Sequence, residues 1–210
     1  MLKPYKGTGI STYCEGQRGH LGNIVFGLLV SAQQTYGDAW PDRLQLHVFS
    51  SDAHGVKASE SYPQGRNATW ASDKLQLIVL GMDSPDHWSI IIASPSNQHH
   101  AFLCDGLVCA DHLKVIKAAK DTMNMFFDRH KVKRRVLADA SVPTQTDSWS
   151  CMIRAIMCGW TAMQLDNQGH NFDAPCITFT DEAISRMIKQ LNEAAPLHGL
   201  TLTNNSVLPS

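Results

Sequence analysis

The sequence predicts an α+β fold, a mixed or mostly antiparallel central sheet flanked by helices, on the strength of three observations. Three short runs rich in apolar and β-branched residues follow one another at 75–80, 88–93 and 100–105. The turns between them, Gly81-Met82-Asp83-Ser84-Pro85 and Ser94-Pro95-Ser96-Asn97, are too short for crossovers, so the strands are antiparallel neighbours. Helical apolar patterns stand before and after this run. The one that opens at Cys151 carries only Arg154 as a charge through Met163, and a helix so apolar belongs inside the core.

Composition sets limits on this plan. A chain of 210 residues suffices for one domain with a substantial core, and 43% hydrophobic with 18% charged residues describes a globular protein. A net charge of −1 offers no basic field for nucleic acid, and no apolar run approaches the ~18 residues of a membrane span. Residues 1–7 lack the apolar core of a signal peptide. The six cysteines (Cys14, Cys104, Cys109, Cys151, Cys158 and Cys176) have no framework spacing and read as reduced thiols. The expectation is an intracellular protein, in nucleus or cytoplasm, that binds neither nucleic acid nor membrane; delivery into a host cell is compatible with it.

Taken in order, residues 1–19 are rich in Gly, Ser, Thr and Lys and predict a loose lead-in. From His20 to Gly37, Leu21, Ile24, Val25, Leu28 and Leu29 recur at helical spacing. Pro41 punctuates a turn over 38–42. The alternation of 44–50 predicts a strand, and the polar stretch 51–70 a long surface loop, either substrate-contacting or a plain connector. After the three strands, 111–129 is helical with Leu113, Ile116, Met123 and Phe127 to one side. The basic run 129–135 reads better as a solvated helix end than as a nucleic-acid patch. Residues 136–140 predict a further strand leading toward Gln145. A last helix opens with the capping Thr180 and the acids Asp181 and Glu182, buries Ile184, Met187, Ile188 and Leu191, and ends at Pro196. The expected domain plan is a lead-in over 1–19, one domain over 20–197 and a tail over 198–210.

The chemistry centres on Cys151, which closes a polar loop and opens a helix. Unpaired N–H groups and the helix dipole favour an anion at such a position, and thiolate is the nucleophilic form of cysteine. Six residues upstream, Gln145 carries an amide that can donate to a developing oxyanion. His87 begins one strand and Asp105, eighteen residues on, ends the next, so antiparallel pairing brings both to one sheet edge. His, Asp, Gln and Cys in this order form a complete thiol-hydrolase set. Singly, Cys151 and His87 read as buried structural residues; jointly with Asp105 and Gln145 they point to catalysis. His87 would take the Cys151 proton and later protonate the leaving amine, Asp105 would fix the imidazole tautomer, and Gln145 with the Cys151 N–H would bind the oxyanion. Cys104, Cys109 and His112, with His99 and His100 nearby, are zinc-ligand types, but they lack the paired, widely separated spacing of structural zinc modules. No metal or cofactor is expected.

The set His87-Trp88, Asp105, then Pro143-Thr144-Gln145 six residues ahead of Cys151 resembles the ubiquitin-like-protein-specific cysteine proteases, the SUMO/sentrin-type family of the papain-like clan. That family reads His-Trp at a strand start, Asp at the end of the next strand and Pro-x-Gln-x5-Cys-Gly at a helix start. The resemblance spans roughly residues 20–165. Met152 replaces the family glycine, and His20-Leu21-Gly22-Asn23 lacks the family tryptophan before the first long helix. It implies a papain-like core with the nucleophile helix buried. It also implies thiol-dependent cleavage of peptide or isopeptide bonds at the C-terminus of SUMO, ubiquitin, NEDD8 or another such modifier and its conjugates. In the family the tryptophan after the histidine roofs a channel that admits a Gly-Gly tail, which makes Trp88 a candidate substrate contact. Trp149, in the nucleophile loop, is a second, and reads equally as a loop anchor. Two other functions fit the same residues: acetyl transfer, as in a related bacterial effector family, and a catalytically silent module that binds such modifiers.

Overall fold

The computed structural model describes residues 10–14, 20–63, 70–84, 86–107, 111–172, 175–198 and 202–203. The strands are β1 (Ile10–Ser11), β2 (Leu44–Asp52), β3 (Gly55–Tyr62), β4 (Leu75–Asp83), β5 (Asp86–Ala93), β6 (His100–Cys104), β7 (Val136–Asp139) and β8 (Leu202–Thr203). The helices are α1 (Leu21–Tyr36), α2 (Trp40–Arg43), α3 (His112–His130), α4 (Cys151–Asn167) and α5 (Asp181–Leu197). Six strands form one mixed sheet in the order β3-β2-β4-β5-β6-β7. Its β2–β3, β4–β5 and β5–β6 pairs are antiparallel, whereas β2–β4 and β6–β7 are parallel. This is the α+β plan the sequence predicts.

The strand trio reads as continuous apolar runs because both faces are covered. On one face Leu77, Val79, Ile90 and Ile92 pack in the main core with α1, α4 and α5; on the other Ile78, Leu80, Ile91 and Leu103 pack with Val115, Ala119, Met123 and Phe126 of α3. Helix α4 is buried through most of its length, from Cys151 to Gly159, as its lack of charge predicts. Among the described residues no helix is long and apolar enough to cross a membrane.

Four local expectations are corrected. The loop expected over 51–70 contains β3, paired antiparallel with β2. Its polar sequence hides a strand because β3 lies at the sheet edge, where only one side needs a partner. In the stretch expected to be loose, Ile10 and Tyr13 are buried, and Asn23 ties Ser11 to α1 by accepting from its backbone N–H at 3.2 Å and donating to its carbonyl at 2.8 Å. Pro196 lies within the last turn of α5, one residue short of its end. The basic run is not uniformly solvated either. Arg134 pairs with Asp128 at 2.9 Å, while the half-buried Arg135 donates to the carbonyls of Ser94 and Asn97 at 2.8 Å, with its guanidinium 5.2 Å from the Trp70 ring centroid.

Candidate active site

Helix α4 opens at Cys151, and the loop ahead of it is held by one carboxylate. Asp147 accepts from the backbone N–H of Trp149 at 2.9 Å, from that of Ser150 at 2.6 Å and from the Ser150 hydroxyl at 2.6 Å. It thus folds Trp149 and Ser150, the two residues ahead of α4, into one side-chain-bonded turn. Burial works against its charge, but the hydrogen bonds from Ser150 and Trp149 and the nearby Arg154 outweigh it and hold Asp147 below the usual carboxylate range. Arg154, one turn into α4 and buried, donates its Nε to the Ser150 Oγ at 2.7 Å and lies 3.7 Å from Asp181 at the start of α5. The nucleophile loop is therefore braced by a chain of charge-assisted bonds that also reaches the last helix.

The histidine and its acid come from adjacent strands. His87 follows the first residue of β5, and Asp105 directly follows β6. Antiparallel pairing brings them to the same sheet edge, and His87 Nε2 lies 2.7 Å from Asp105 Oδ1. The side chains are 4% and 1% exposed. With Asp105 on Nε2, Nδ1 is the ring nitrogen left to serve Cys151. Burial opposes charging of His87, but the hydrogen bonds to Asp105 and Cys151 and their charges overcome it and raise its pKa to about 9. At neutral pH His87 is therefore an imidazolium.

Gln145 reaches the same place by a close approach of two loops. Its backbone N–H donates to the Gly106 carbonyl at 2.7 Å, and a Cβ at Gly106 would lie 2.6 Å from the Pro143 carbonyl oxygen. Only glycine fits directly after Asp105. The Gln145 amide donates one hydrogen to the Asp147 carbonyl at 2.8 Å, which orients it and leaves its second hydrogen available. Gln145, Cys151, Asp105 and Trp88 line one narrow cleft together with Pro143 and Phe179. Trp88 is seated there by Gly81, its cross-strand partner: a Cβ on Gly81 would come within 2.6 Å of the indole. Gly81, expected in a turn, is thus inside β4 and makes room for the ring. Trp149 is half-buried against the main core and is not among the residues that line this cleft.

The structure brings His87, Asp105, Gln145 and Cys151 together, along with residues that the sequence pattern left out. Asp147 could have been found as an aspartate placed to form a turn ahead of α4; Arg154 was visible only as the one charge in an apolar helix. His112, a zinc-ligand type in the sequence, instead places its Nδ1 3.1 Å from Asp105 Oδ2. Cys109 lies outside the described residues, and among those described no group of three or more His, Cys, Asp or Glu could hold a metal ion. Met152 is buried in the main core. Cys104 lies beside the cleft, but the hydrogen bond with Cys158 and complete burial push its pKa well above the ordinary thiol range, which suits an inert thiol.

No protein-family profile and no curated protein sequence matches the chain. Solved structures do. The SUMO protease Ulp1 with its catalytic cysteine oxidised to a sulfonic acid superposes with a TM-score of 0.56 at 13% identity, over 90% of this chain and 83% of that one. A de-sumoylating protease superposes with a TM-score of 0.50 at 12% identity, over 84% of this chain and 74% of that one. A further Ulp1 structure, oxidised to a sulfenic acid, aligns over 60% of this chain and only 54% of its own, with a TM-score of 0.46. At such identities the likeness is one of architecture: this chain is built on the fold of the SUMO protease Ulp1.

Proposed function

We propose that this protein is a cysteine protease that cleaves the peptide or isopeptide bond at the C-terminus of a ubiquitin-like modifier. The observation that carries the reading is the buried His87–Asp105 pair at 2.7 Å, next to a cleft that Asp105, Gln145 and Cys151 line together. In the mechanism the Cys151 proton resides on His87 and the thiolate attacks the scissile carbonyl carbon. The tetrahedral oxyanion is met by the Cys151 N–H and the free Gln145 N–H, each such donor contributing about 3 kcal/mol in comparable sites. His87 then protonates the departing amine, and the C–N bond breaks to leave a thioester on Cys151. Water, deprotonated by His87, hydrolyses the thioester and restores the pair. Asp105 stabilises the imidazolium and keeps Nδ1 facing sulfur throughout.

The narrow cleft under Trp88 favours a tail without side chains, as the Gly-Gly end of SUMO, ubiquitin or NEDD8 provides. Trp88 would roof that tail, while Trp149 anchors the nucleophile loop and offers its exposed edge to the modifier. We assign the catalytic domain to residues 20–197, with Ile10 and Tyr13 of the lead-in packed into its core, acting in the nucleus or cytoplasm of its own or a host cell. The test is a panel of fluorogenic C-terminal amides of SUMO, ubiquitin and NEDD8. Release from at least one, abolished by Cys151→Ala, is expected. Acetylation of protein lysines from acetyl-coenzyme A with no amide cleaved, or modifier binding without turnover, would replace this reading.

A further inference from the structure

Asp105 holds two histidines at once. Oδ1 accepts from His87 Nε2 at 2.7 Å and from the Leu107 backbone N–H at 3.3 Å; Oδ2 accepts from His112 Nδ1 at 3.1 Å. The carboxylate is 1% exposed, His112 29%. The terminal torsion of an aspartate is broad, so contacts at Oδ1 alone leave the carboxylate plane free to swing about the Cβ–Cγ bond. A donor on the opposite oxygen removes that freedom. Among the described residues His112 is the partner of Oδ2, and a buried carboxylate oxygen without a donor is costly.

His112 is itself held in place. It is the first residue of α3, whose opening turn is closed by Lys114 and Val115 donating to the Asp111 carbonyl at 2.9 and 3.1 Å. Val115, Ala119, Met123 and Phe126 seat the helix against the sheet. The ring is thus delivered to Asp105 by a rigid element on the sheet face opposite the Cys151 helix. We infer that His112 is a positioning residue that locks the Asp105 carboxylate in the orientation that grips His87, and so governs the reactivity of Cys151 without touching it or the substrate.

The inference rests on the reading of Cys151 as nucleophile and His87 as its base, and its test does not need a modifier. The readout is the rate at which iodoacetamide alkylates Cys151 at neutral pH, followed by peptide mapping, alongside the thermal midpoint. His112→Ala is expected to slow alkylation by about tenfold, the rate equivalent of one charge-assisted hydrogen bond. In His112→Asn the amide nitrogen can occupy the position of Nδ1, so that variant should return to within about twofold of wild type. His112→Gln, whose amide reaches past that position, should resemble the alanine variant and stands in for it if His112→Ala does not fold. Wild-type rates in both His112→Ala and His112→Gln would overturn the inference, as would failure of His112→Asn to rescue despite an unchanged thermal midpoint. If the predicted pattern of rates holds while no modifier amide is cleaved, His112 keeps its role and the proposed substrate falls. If amides are cleaved and alkylation ignores His112, the reverse is true.

Discussion

Restoring the family glycine after the nucleophile, Met152→Gly, should damage this protein and not improve it. Met152 is 3% exposed and belongs to the main core cluster with α1, α5 and the Leu77–Val79–Ile90 face of the sheet. Truncating a buried methionine to alanine costs about 2–5 kcal/mol through lost burial and the cavity left behind. Going on to glycine at the second residue of α4 costs up to about 1 kcal/mol more in helix propensity. The expected loss is therefore about 2–6 kcal/mol, a large part of the about 5–15 kcal/mol that stabilises a typical domain. In urea, with a slope of about 2 kcal/mol/M, the midpoint should fall by about 1–3 M. The backbone N–H of Cys151 is unchanged, so labelling of Cys151 under native conditions should stay within severalfold of wild type. A loss below about 1 kcal/mol, or a tenfold gain in labelling, would refute the argument that the core is built around this methionine.

Other predictions follow from single contacts. Gly81→Ala should drive the Trp88 indole toward the cleft, at a cost of about 1–3 kcal/mol, and raise KM more than it lowers kcat; unchanged kinetics would remove Trp88 from the substrate channel. Asp147→Ala should cost about 2 kcal/mol in denaturant unfolding, and Asp147→Asn, which keeps one acceptor, clearly less; equal losses would mean the loop is not braced by these bonds. His87 has a folded-state pKa of about 9, above its ordinary 6.5, so its protonated form stabilises the fold fully below pH 6.5. That contribution is lost as the pH rises through about 9. The thermal midpoint of wild type should fall across this window more steeply than that of Asp105→Asn, and parallel curves would contradict the assigned pairing.

Those features written in local pattern were legible in the sequence. The strands carrying His87 and leading to Asp105 are short apolar runs with short turns, and antiparallel pairing alone puts the two residues at one edge. Cys151 at the mouth of an apolar helix followed from the change of composition at Ser150. Gln145 was visible by its spacing, although the approach that delivers it depends on Gly106 meeting Pro143 across the chain, which no local signal reports. The edge strand β3 escaped because an edge tolerates polar residues. His112 escaped for a different reason: its partner lies seven residues earlier in the chain, and its role arises from how α3 seats on the sheet.

The most direct test of the central claim is covalent capture. SUMO, ubiquitin and NEDD8 carrying an electrophile in place of the C-terminal carboxylate are incubated with the full chain, and the adduct is mapped by peptide mass spectrometry. Adduct formation with at least one modifier, located on Cys151, is expected, with its loss in Cys151→Ala, a strong reduction in His87→Ala, and no effect of Cys104→Ala or Cys158→Ala. An adduct on another cysteine, or none with any modifier from a folded protein, would contradict the account.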